Sequence, residues 1–251
     1  MEVLIGGIQE SSTIDYPREF VSVIFFCQCP FRCPFCQNGS LVRMEDCTTV
    51  RVEAILEKLK SYQKFITGVC ITGGEPTFQF DGLVALLKGT HRMGLLNKLD
   101  TNGFYPDRVE KLLNLKLLNY IALDIKGPFV PGIYAKMIGQ PNLGDEAVRN
   151  TLATLKILKN STVPFETRTT IVPDFNDSEQ TIEQTAKNLK EFTKGPYILQ
   201  QFRAMNGTLD KSFSKLPLTP YDRLTKLAKI AKNYIPDVRI RTIEAGEEKT
   251  E

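Results

Sequence analysis

The sequence lacks several residue types on which common enzyme mechanisms depend. It contains one histidine, His91, and no tryptophan. Mechanisms with a histidine base, or metal sites with several histidine ligands, are therefore nearly excluded. No apolar run is long enough for a transmembrane helix, and the opening residues MEVLIGGIQESS have no basic or long apolar region typical of a signal peptide. We expect a cytoplasmic protein that does not bind a membrane.

A strong excess of either charge is also missing. The chain has 32 basic and 29 acidic side chains, and its formal net charge is +3. This balance is too mild to favour nucleic acid as the main partner. The 251 residues, of which 42% are hydrophobic, are enough for one sizeable core. We expect one domain over residues 1–243, followed by a charged, disordered tail over residues 244–251.

Apolar runs typical of buried strands alternate with amphipathic runs typical of helices. Strands are predicted at 3–8, 20–26, 68–72, 96–100, 118–125, 164–172, 197–202 and 238–243. Helices are predicted at 50–64, 80–93, 106–115 and 145–160, and two more should begin near Asn176-Asp177 and Thr219, with a long loop at 127–144. About six βα units with a parallel sheet fit this order. The fold class expected is α/β, a partial (β/α)6 TIM-like barrel.

The ends of the predicted strands carry the residues with chemical potential. In parallel α/β folds, functional groups sit at the carboxyl ends of the strands. We expect the groups at these ends to surround one opening. They are Cys29, Cys33 and Cys36 after the first buried strand, then TGGEP (72–76), LDTNG (99–103), LDIKGP (123–128) and Arg168.

Three cysteines within eight residues predict a metal centre. A structural zinc site normally takes four protein ligands, and no fourth ligand is evident. A four-iron cluster held by three cysteines keeps one iron open for a substrate or cofactor. The other thiols are expected to be reduced: Cys27 as a buried neighbour of the loop, Cys47 as a loop thiol and Cys70 as core.

Together these motifs resemble the radical S-adenosylmethionine superfamily over roughly residues 10–205. The spacing Cys29-x3-Cys33-x2-Cys36, with Phe35 before the last cysteine, matches its cluster motif, and TGGEP looks like its GGE element. STIDYP, CPFCQN, LDTNG and LDIKGP are similar to activating enzymes of glycyl-radical enzymes, including those of anaerobic ribonucleoside-triphosphate reductase and pyruvate formate-lyase. Two positions where these relatives commonly have glycine hold Arg18 and Gln28, and Gln37 stands where they commonly have histidine.

The resemblance implies a set of cofactors and ligands. Cys29, Cys33 and Cys36 would hold a [4Fe-4S] cluster, and the cluster and S-adenosylmethionine would carry the chemistry, so no side chain is assigned as catalytic. Asp100, Thr101 and Asp124 resemble a monovalent-cation site. The residues expected to bind S-adenosylmethionine or its neighbouring cation are Phe35, Gly73, Gly74, Glu75, Asp100, Thr101, Asn102, Asp124, Lys126 and Arg168.

The resemblance also implies partners. A glycyl-radical enzyme, anaerobic ribonucleotide reductase in the first place, would be the target, and flavodoxin or ferredoxin would supply the electron. Two alternatives stay open. One is a radical S-adenosylmethionine enzyme acting on a small molecule or peptide, with the 200–203 region lining its pocket; the other is a zinc-binding interaction module. Read singly, GGEP and DTNG are also common turns, and Asp124 with Lys126 is also a common strand-end ion pair.

Overall fold

The computed structural model describes residues 1–204 and 207–250 and divides the chain into two compact units. The first unit comprises Met1–Pro30, Ser40–Ala122 and Ser161–Pro164, and the second comprises Phe31–Gly39, Leu123–Asn160 and Phe165–Glu251. Within the described residues, no helix has both the length and the apolar character needed to cross a membrane.

The first unit is built on a sheet with the strand order β3-β1-β2-β4-β5. β1 pairs antiparallel with β2 and β3, whereas β2, β4 and β5 run parallel. The helices and strands between residues 1 and 124 are β1 (Glu2–Ser12), β2 (Val21–Phe26), α1 (Gly39–Arg43), β3 (Thr48–Arg51), α2 (Val52–Tyr62), β4 (Gly68–Gly73), α3 (Phe80–Arg92), β5 (Leu96–Thr101), α4 (Pro106–Asn114) and β6 (Tyr120–Asp124).

Hydrophobic periodicity explains these elements. β2 is a continuous apolar run, and nearly all of it is buried, as expected for a strand covered on both faces. α2 buries Val52, Ile55 and Leu59, which recur at helical spacing. Cys70 lies in a core cluster with Tyr16, Val21 and Val23, so its prediction as a core residue is confirmed.

The second unit continues the alternation of helices and strands. Its strand order is β7-β8-β9-β10, with β7, β8 and β9 parallel and β10 antiparallel to β9. The elements are α5 (Pro131–Met137), α6 (Gly144–Asn160), β7 (Phe165–Ile171), α7 (Glu179–Leu189), β8 (Tyr197–Gln201), α8 (Tyr221–Lys232), β9 (Val238–Thr242) and β10 (Gly246–Lys249).

Several local predictions differ from the structure. The loop expected at 127–144 contains α5, which starts on Pro131, a residue well suited to the first helical turn. The expected disordered tail contains β10, whose Glu247 pairs with Arg239 at 2.8 Å and with Arg241 at 2.5 Å; residue 251 lies outside the described residues.

The two predicted helix starts shift as well. α7 is capped by Ser178, which accepts a bond from the Thr181 N–H, instead of by Asn176-Asp177. The side-chain oxygen of Asn176 instead accepts a hydrogen bond from the Val172 N–H at 2.7 Å. Thr219 does not cap α8 either, because its hydroxyl donates to the Ile171 carbonyl at 2.5 Å. Both polar residues hold strand ends, a role that local sequence does not reveal.

Candidate active site

The three cysteines of the motif are in the thiol form. Cys29, Cys33 and Cys36 form no disulfide, whereas Cys27 and Cys47 are joined by one. The expectation that every thiol is reduced, with Cys47 a free loop thiol, is therefore wrong. The pairing leaves the motif with three donors, because Cys27 is committed elsewhere.

The two residues before Cys29 are held by backbone hydrogen bonds within the first unit. The Cys27 N–H donates to the Leu4 carbonyl at 2.9 Å, and the Gln28 N–H donates to the Leu41 carbonyl at 3.1 Å. Gln28 has a φ of 70°, and Arg18 has a φ of 66°. Both lie in the left-handed region that glycine adopts without steric cost. The two places where the resemblance expects glycine are thus places where the backbone favours glycine.

The GGE element packs against this same stretch. Gly73 has a φ of 108°, and a Cβ there would overlap the Phe26 carbonyl; a Cβ on Gly74 would overlap the Gln28 carbonyl. The Gly74 N–H donates to Phe26 O and the Glu75 N–H to Gln28 O, both at 2.7 Å. The glycines therefore let the end of β4 lie directly on the chain that leads to Cys29.

Glu75 ties the end of β4 to the end of β5. Its side chain is 0% exposed. It accepts bonds from the Thr101 hydroxyl at 2.8 Å, from the Asn102 N–H at 2.7 Å, and from the N–H and hydroxyl of Thr77 at 3.1 and 2.5 Å. Burial raises the pKa of Glu75, and these donors oppose the rise. All of these donors are neutral.

Asn102 connects this network to the cysteine loop. Its side-chain amide donates to Cys29 Sγ at 3.6 Å, and its oxygen accepts from the Phe104 N–H at 3.0 Å. The first unit thereby brings four predicted site residues together: Cys29, Glu75, Thr101 and Asn102. Hydrogen bonds to a cysteine sulfur are one of the means by which proteins set the potential of an iron–sulfur cluster.

Asp100 is paired with a residue that sequence reasoning missed. Lys98, two residues earlier on β5, is 1% exposed, and its ammonium bonds Asp100 Oδ1. The same ammonium lies 3.6 Å from Cys70 Sγ. The spacing of Lys98 and Asp100 places both side chains on one face of the strand, which is the signal that could have found the pair.

The second unit contains a corresponding charge cluster at Asp124. Two cations bond its carboxylate: the Arg168 guanidinium lies 2.9 Å from Oδ1, and the Lys126 ammonium lies 3.2 Å from Oδ2. Burial would raise the pKa of Asp124, but these two cations lower it to about 2. Burial favours the neutral form of Lys126, yet Asp124 and Cys33 raise its pKa overall. Arg168 also lies 3.8 Å from the buried Glu166.

Cys33 and Phe35 are fixed by packing within the second unit. Burial raises the pKa of Cys33 to about 12, and the Lys126 charge opposes the rise. The Phe35 ring packs on Phe175, with 5.9 Å between centroids. The backbone of 34–36 is bonded by the 209–210 segment, since Leu209 N–H donates to Cys36 O at 2.9 Å and Asp210 N–H to Pro34 O at 3.0 Å. Sequence reasoning gave no signal for that segment.

The donor chemistry fits an iron–sulfur cluster. Within residues 1–204 and 207–250, no three cysteine, histidine, aspartate or glutamate side chains are arranged as a preformed metal site. The motif nevertheless supplies three thiols that form no disulfide, and thiolates are the usual ligands of such clusters. The Lys126 ammonium favours the thiolate form of Cys33, which is the form that binds iron.

Comparison with known proteins agrees with this chemistry. Residues 23–188 match the family model described as the radical SAM superfamily. The chain is 36% identical to a Methanocaldococcus jannaschii protein named as a glycyl-radical enzyme activating enzyme, over 97% of this chain and 98% of the relative. It is 27% identical to the pyruvate formate-lyase-activating enzyme of Clostridium pasteurianum, over 96% of this chain and 90% of the relative.

The chain belongs to the radical SAM superfamily, among the glycyl-radical enzyme activating enzymes. Members of this superfamily use a [4Fe-4S] cluster and S-adenosylmethionine, so the predicted pair of cofactors is supported at family level.

Solved structures confirm the fold class. A radical SAM methyltransferase from Sphaerobacter thermophilus superposes with a TM-score of 0.67 at 15% identity, covering 92% of this chain and 70% of that one. A domain of a pyruvate-formate lyase-activating enzyme from Bacteroides vulgatus superposes with a TM-score of 0.54 at 16% identity, covering 70% of this chain and 99% of that one. The predicted α/β partial barrel of the radical SAM type is therefore confirmed.

Proposed function

We propose that this enzyme generates a glycyl radical on a partner protein, and that the partner is anaerobic ribonucleoside-triphosphate reductase. A [4Fe-4S] cluster on Cys29, Cys33 and Cys36 would supply one electron to cleave S-adenosylmethionine and so provide the 5′-deoxyadenosyl radical that takes a hydrogen atom from the glycine. The observation that carries this proposal is the set of three cysteines at x3 and x2 spacing, none of them in a disulfide, in a chain that matches an activating enzyme over 97% of its length.

Within the first unit, the protein's contribution is positional. Gly73 and Gly74 allow β4 to support the chain before Cys29, and Asn102 donates to the Cys29 sulfur. The Gly74 and Glu75 N–H groups are already used in this packing. Glu75 is buried and accepts several bonds, so we assign it an electrostatic role: its negative charge favours a ligand that carries a positive sulfonium group.

Within the second unit, Lys126 and Arg168 share one task. They keep Asp124 ionised, and Lys126 favours the thiolate of Cys33. Arg168 bonds Asp124 through its Nε at 2.9 Å, and its planar guanidinium group has the geometry suited to a carboxylate ligand. Phe35 is held by Phe175, which leaves its backbone as the group offered to the adenine.

The reductase is preferred as partner because of the STIDYP, CPFCQN, LDTNG and LDIKGP motifs taken together. A small flavodoxin or ferredoxin would deliver the electron. The closest rival function is a radical SAM reaction on a small molecule or a peptide, which uses the same cluster and nucleotide but forms no glycyl radical.

Anaerobic reconstitution followed by electron paramagnetic resonance tests the proposal. The protein should bind about four irons per chain, cleave S-adenosylmethionine after reduction, and produce the doublet of a glycyl radical on the reductase. A partner whose radical glycine is replaced by alanine is the control for the doublet. Cys33→Ser should abolish iron binding and cleavage, whereas Cys70→Ala, which removes a buried thiol outside the motif, should retain both.

The other outcomes identify the alternatives. Cleavage without a doublet on the reductase, pyruvate formate-lyase or related partners would favour a small substrate. A doublet on pyruvate formate-lyase alone would keep the activity and change the partner. Zinc at one per chain, without cleavage, would refute the enzyme assignment.

A further inference from the structure

The carboxylates expected to hold a monovalent cation are already neutralised by the chain itself. In the first unit the Lys98 ammonium bonds Asp100 Oδ1. The Thr101 hydroxyl, the next expected oxygen ligand, donates to Glu75 at 2.8 Å and accepts the Gly103 N–H at 3.1 Å. In the second unit Asp124 is bonded by both Arg168 and Lys126. Each of these expected ligands is therefore already engaged by groups of its own unit, so neither Asp100 nor Asp124 suits a sodium or potassium ion, which needs several oxygen atoms to converge on it.

Lys98 is fixed in place by its surroundings. It lies in the middle of β5, opposite Cys70 of β4 in the parallel register. Its side chain is 2% exposed, and Cys70 belongs to the apolar cluster that contains Tyr16 and Val23. An ammonium group buried in such a place is stable only with a negative partner, and Asp100 supplies it.

We propose that Lys98 is a built-in cation for Asp100, which replaces the monovalent ion expected there. The ammonium carries the same single positive charge as sodium or potassium, and it repels a second cation from the same carboxylate. The inference deepens the proposed function, because it makes nucleotide cleavage by this enzyme independent of the monovalent ion in the buffer. Lys98 acts through Asp100 and is therefore a positioning residue.

Thallium(I), a potassium substitute that can be observed directly by nuclear magnetic resonance, tests the binding. Thallium titrations of the wild-type protein and of Asp100→Asn should look the same, because the wild type has no saturable thallium site that depends on Asp100. A saturable site in the wild type that disappears in Asp100→Asn would overturn the proposal. This measurement is made before and after reconstitution, so its result does not depend on whether a glycyl radical forms.

Cleavage of S-adenosylmethionine provides the second readout. In the wild type, rates in sodium, potassium and tetramethylammonium chloride at equal ionic strength should agree within twofold. Lys98→Met removes the charge and keeps the length of the side chain, and its rate should fall at least tenfold when tetramethylammonium replaces potassium. Lys98→Arg, which keeps the charge, and Lys88→Met, which changes an exposed lysine of α3, should behave as the wild type.

The outcomes separate this proposal from the proposed function. A cation-dependent wild type, or a Lys98→Met protein as indifferent to the ion as the wild type, would refute the built-in cation. If Lys98→Met does not fold, wild-type indifference and the thallium titration of the wild type and Asp100→Asn still decide it. Cleavage that is cation-independent but yields no glycyl radical would refute only the proposed target.

Discussion

Removal of the Lys98 charge should expose how strongly the buried pair is coupled. In the folded protein the Lys98 side chain is 2% exposed and the Asp100 side chain 12%. Removing one partner of a buried ion pair leaves an uncompensated charge, which costs about 3–5 kcal/mol. We therefore expect Lys98→Met to lower the free energy of unfolding by about 3–5 kcal/mol. Asp100→Asn should cost a similar amount, because it leaves the buried ammonium unpaired.

The double variant is the more informative measurement. Lys98→Met with Asp100→Asn removes both charges, and replacing a buried pair by groups of similar volume is often close to neutral. The double variant should therefore lie within about 2 kcal/mol of the wild type, which gives a coupling energy of several kcal/mol in a double-mutant cycle.

Denaturant unfolding under anaerobic conditions measures this cycle, with two spectroscopic probes to check that each transition is a single step. Lys187→Met, which removes an exposed charge paired with Glu183, is the matched control and should not change stability measurably. If Lys98→Met costs less than about 1 kcal/mol, or if the two single effects simply add, the pair is not a tightly coupled buried unit and the reasoning fails.

Three further predictions concern other parts of the chain. Because the pKa of Asp124 is lowered to about 2, its stabilising contribution is present above its unfolded-state pKa and is lost as the pH falls from about 4 to 2. In urea unfolding across this range, the free energy of unfolding of Asp124→Asn should depend less on pH than that of the wild type. Equal slopes for the two proteins would contradict the assignment. The disulfide between Cys27 and Cys47 closes a loop with a sequence separation of 20, so Cys47→Ser should lower the free energy of unfolding by up to about 3 kcal/mol. A thiol reductant should lower the stability of the wild type by the same amount and should leave that of the variant unchanged. Gln28 and Arg18 have a left-handed backbone, so Gln28→Gly or Arg18→Gly should stabilise the protein by up to about 1 kcal/mol. Gln37 has no positive φ, so Gln37→Gly should destabilise it. Thermal melts that show the same change at all three positions would count against the backbone explanation.

The sequence predicts the alternating elements well and the irregular ones poorly. The buried runs of β2 and β4 and the helical stripe of α2 have clear periods, and each appears within a few residues of its predicted bounds. α5 was missed because proline and glycine around a short helix look like a loop. β10 was missed because its charged residues suggest solvation, whereas its Glu247 is paired with two arginines of β9.

The candidate site shows the same division. Spacing revealed the three cysteines and the GGE element, because their chemistry depends on residues close in the chain. It did not reveal Lys98, since a lysine inside a strand ordinarily points to solvent and only the fold buries it. It also could not show that Gln28 and Arg18 adopt the backbone conformation of glycine, because their side chains give no sign of a positive φ.

The mode of charge compensation distinguishes Glu75 from the two aspartates. Asp100 and Asp124 are neutralised by cations, whereas Glu75 accepts bonds from hydroxyl and N–H donors, and burial raises its pKa. A ligand with a positive charge should therefore gain most from Glu75. S-adenosylmethionine carries a permanent positive charge on sulfur, and S-adenosylhomocysteine does not.

The affinity for S-adenosylmethionine should consequently fall as the pH decreases through the raised pKa of Glu75, because protonation removes the negative charge that favours the sulfonium. Calorimetric titration of the reconstituted enzyme with both nucleotides measures this effect, and S-adenosylhomocysteine controls for every pH effect that does not involve the sulfonium charge. Glu75→Gln should flatten the difference between the two nucleotides. If both nucleotides show the same pH dependence in the wild type, Glu75 acts only as a structural link between β4 and β5, and its assignment as an electrostatic residue is refuted.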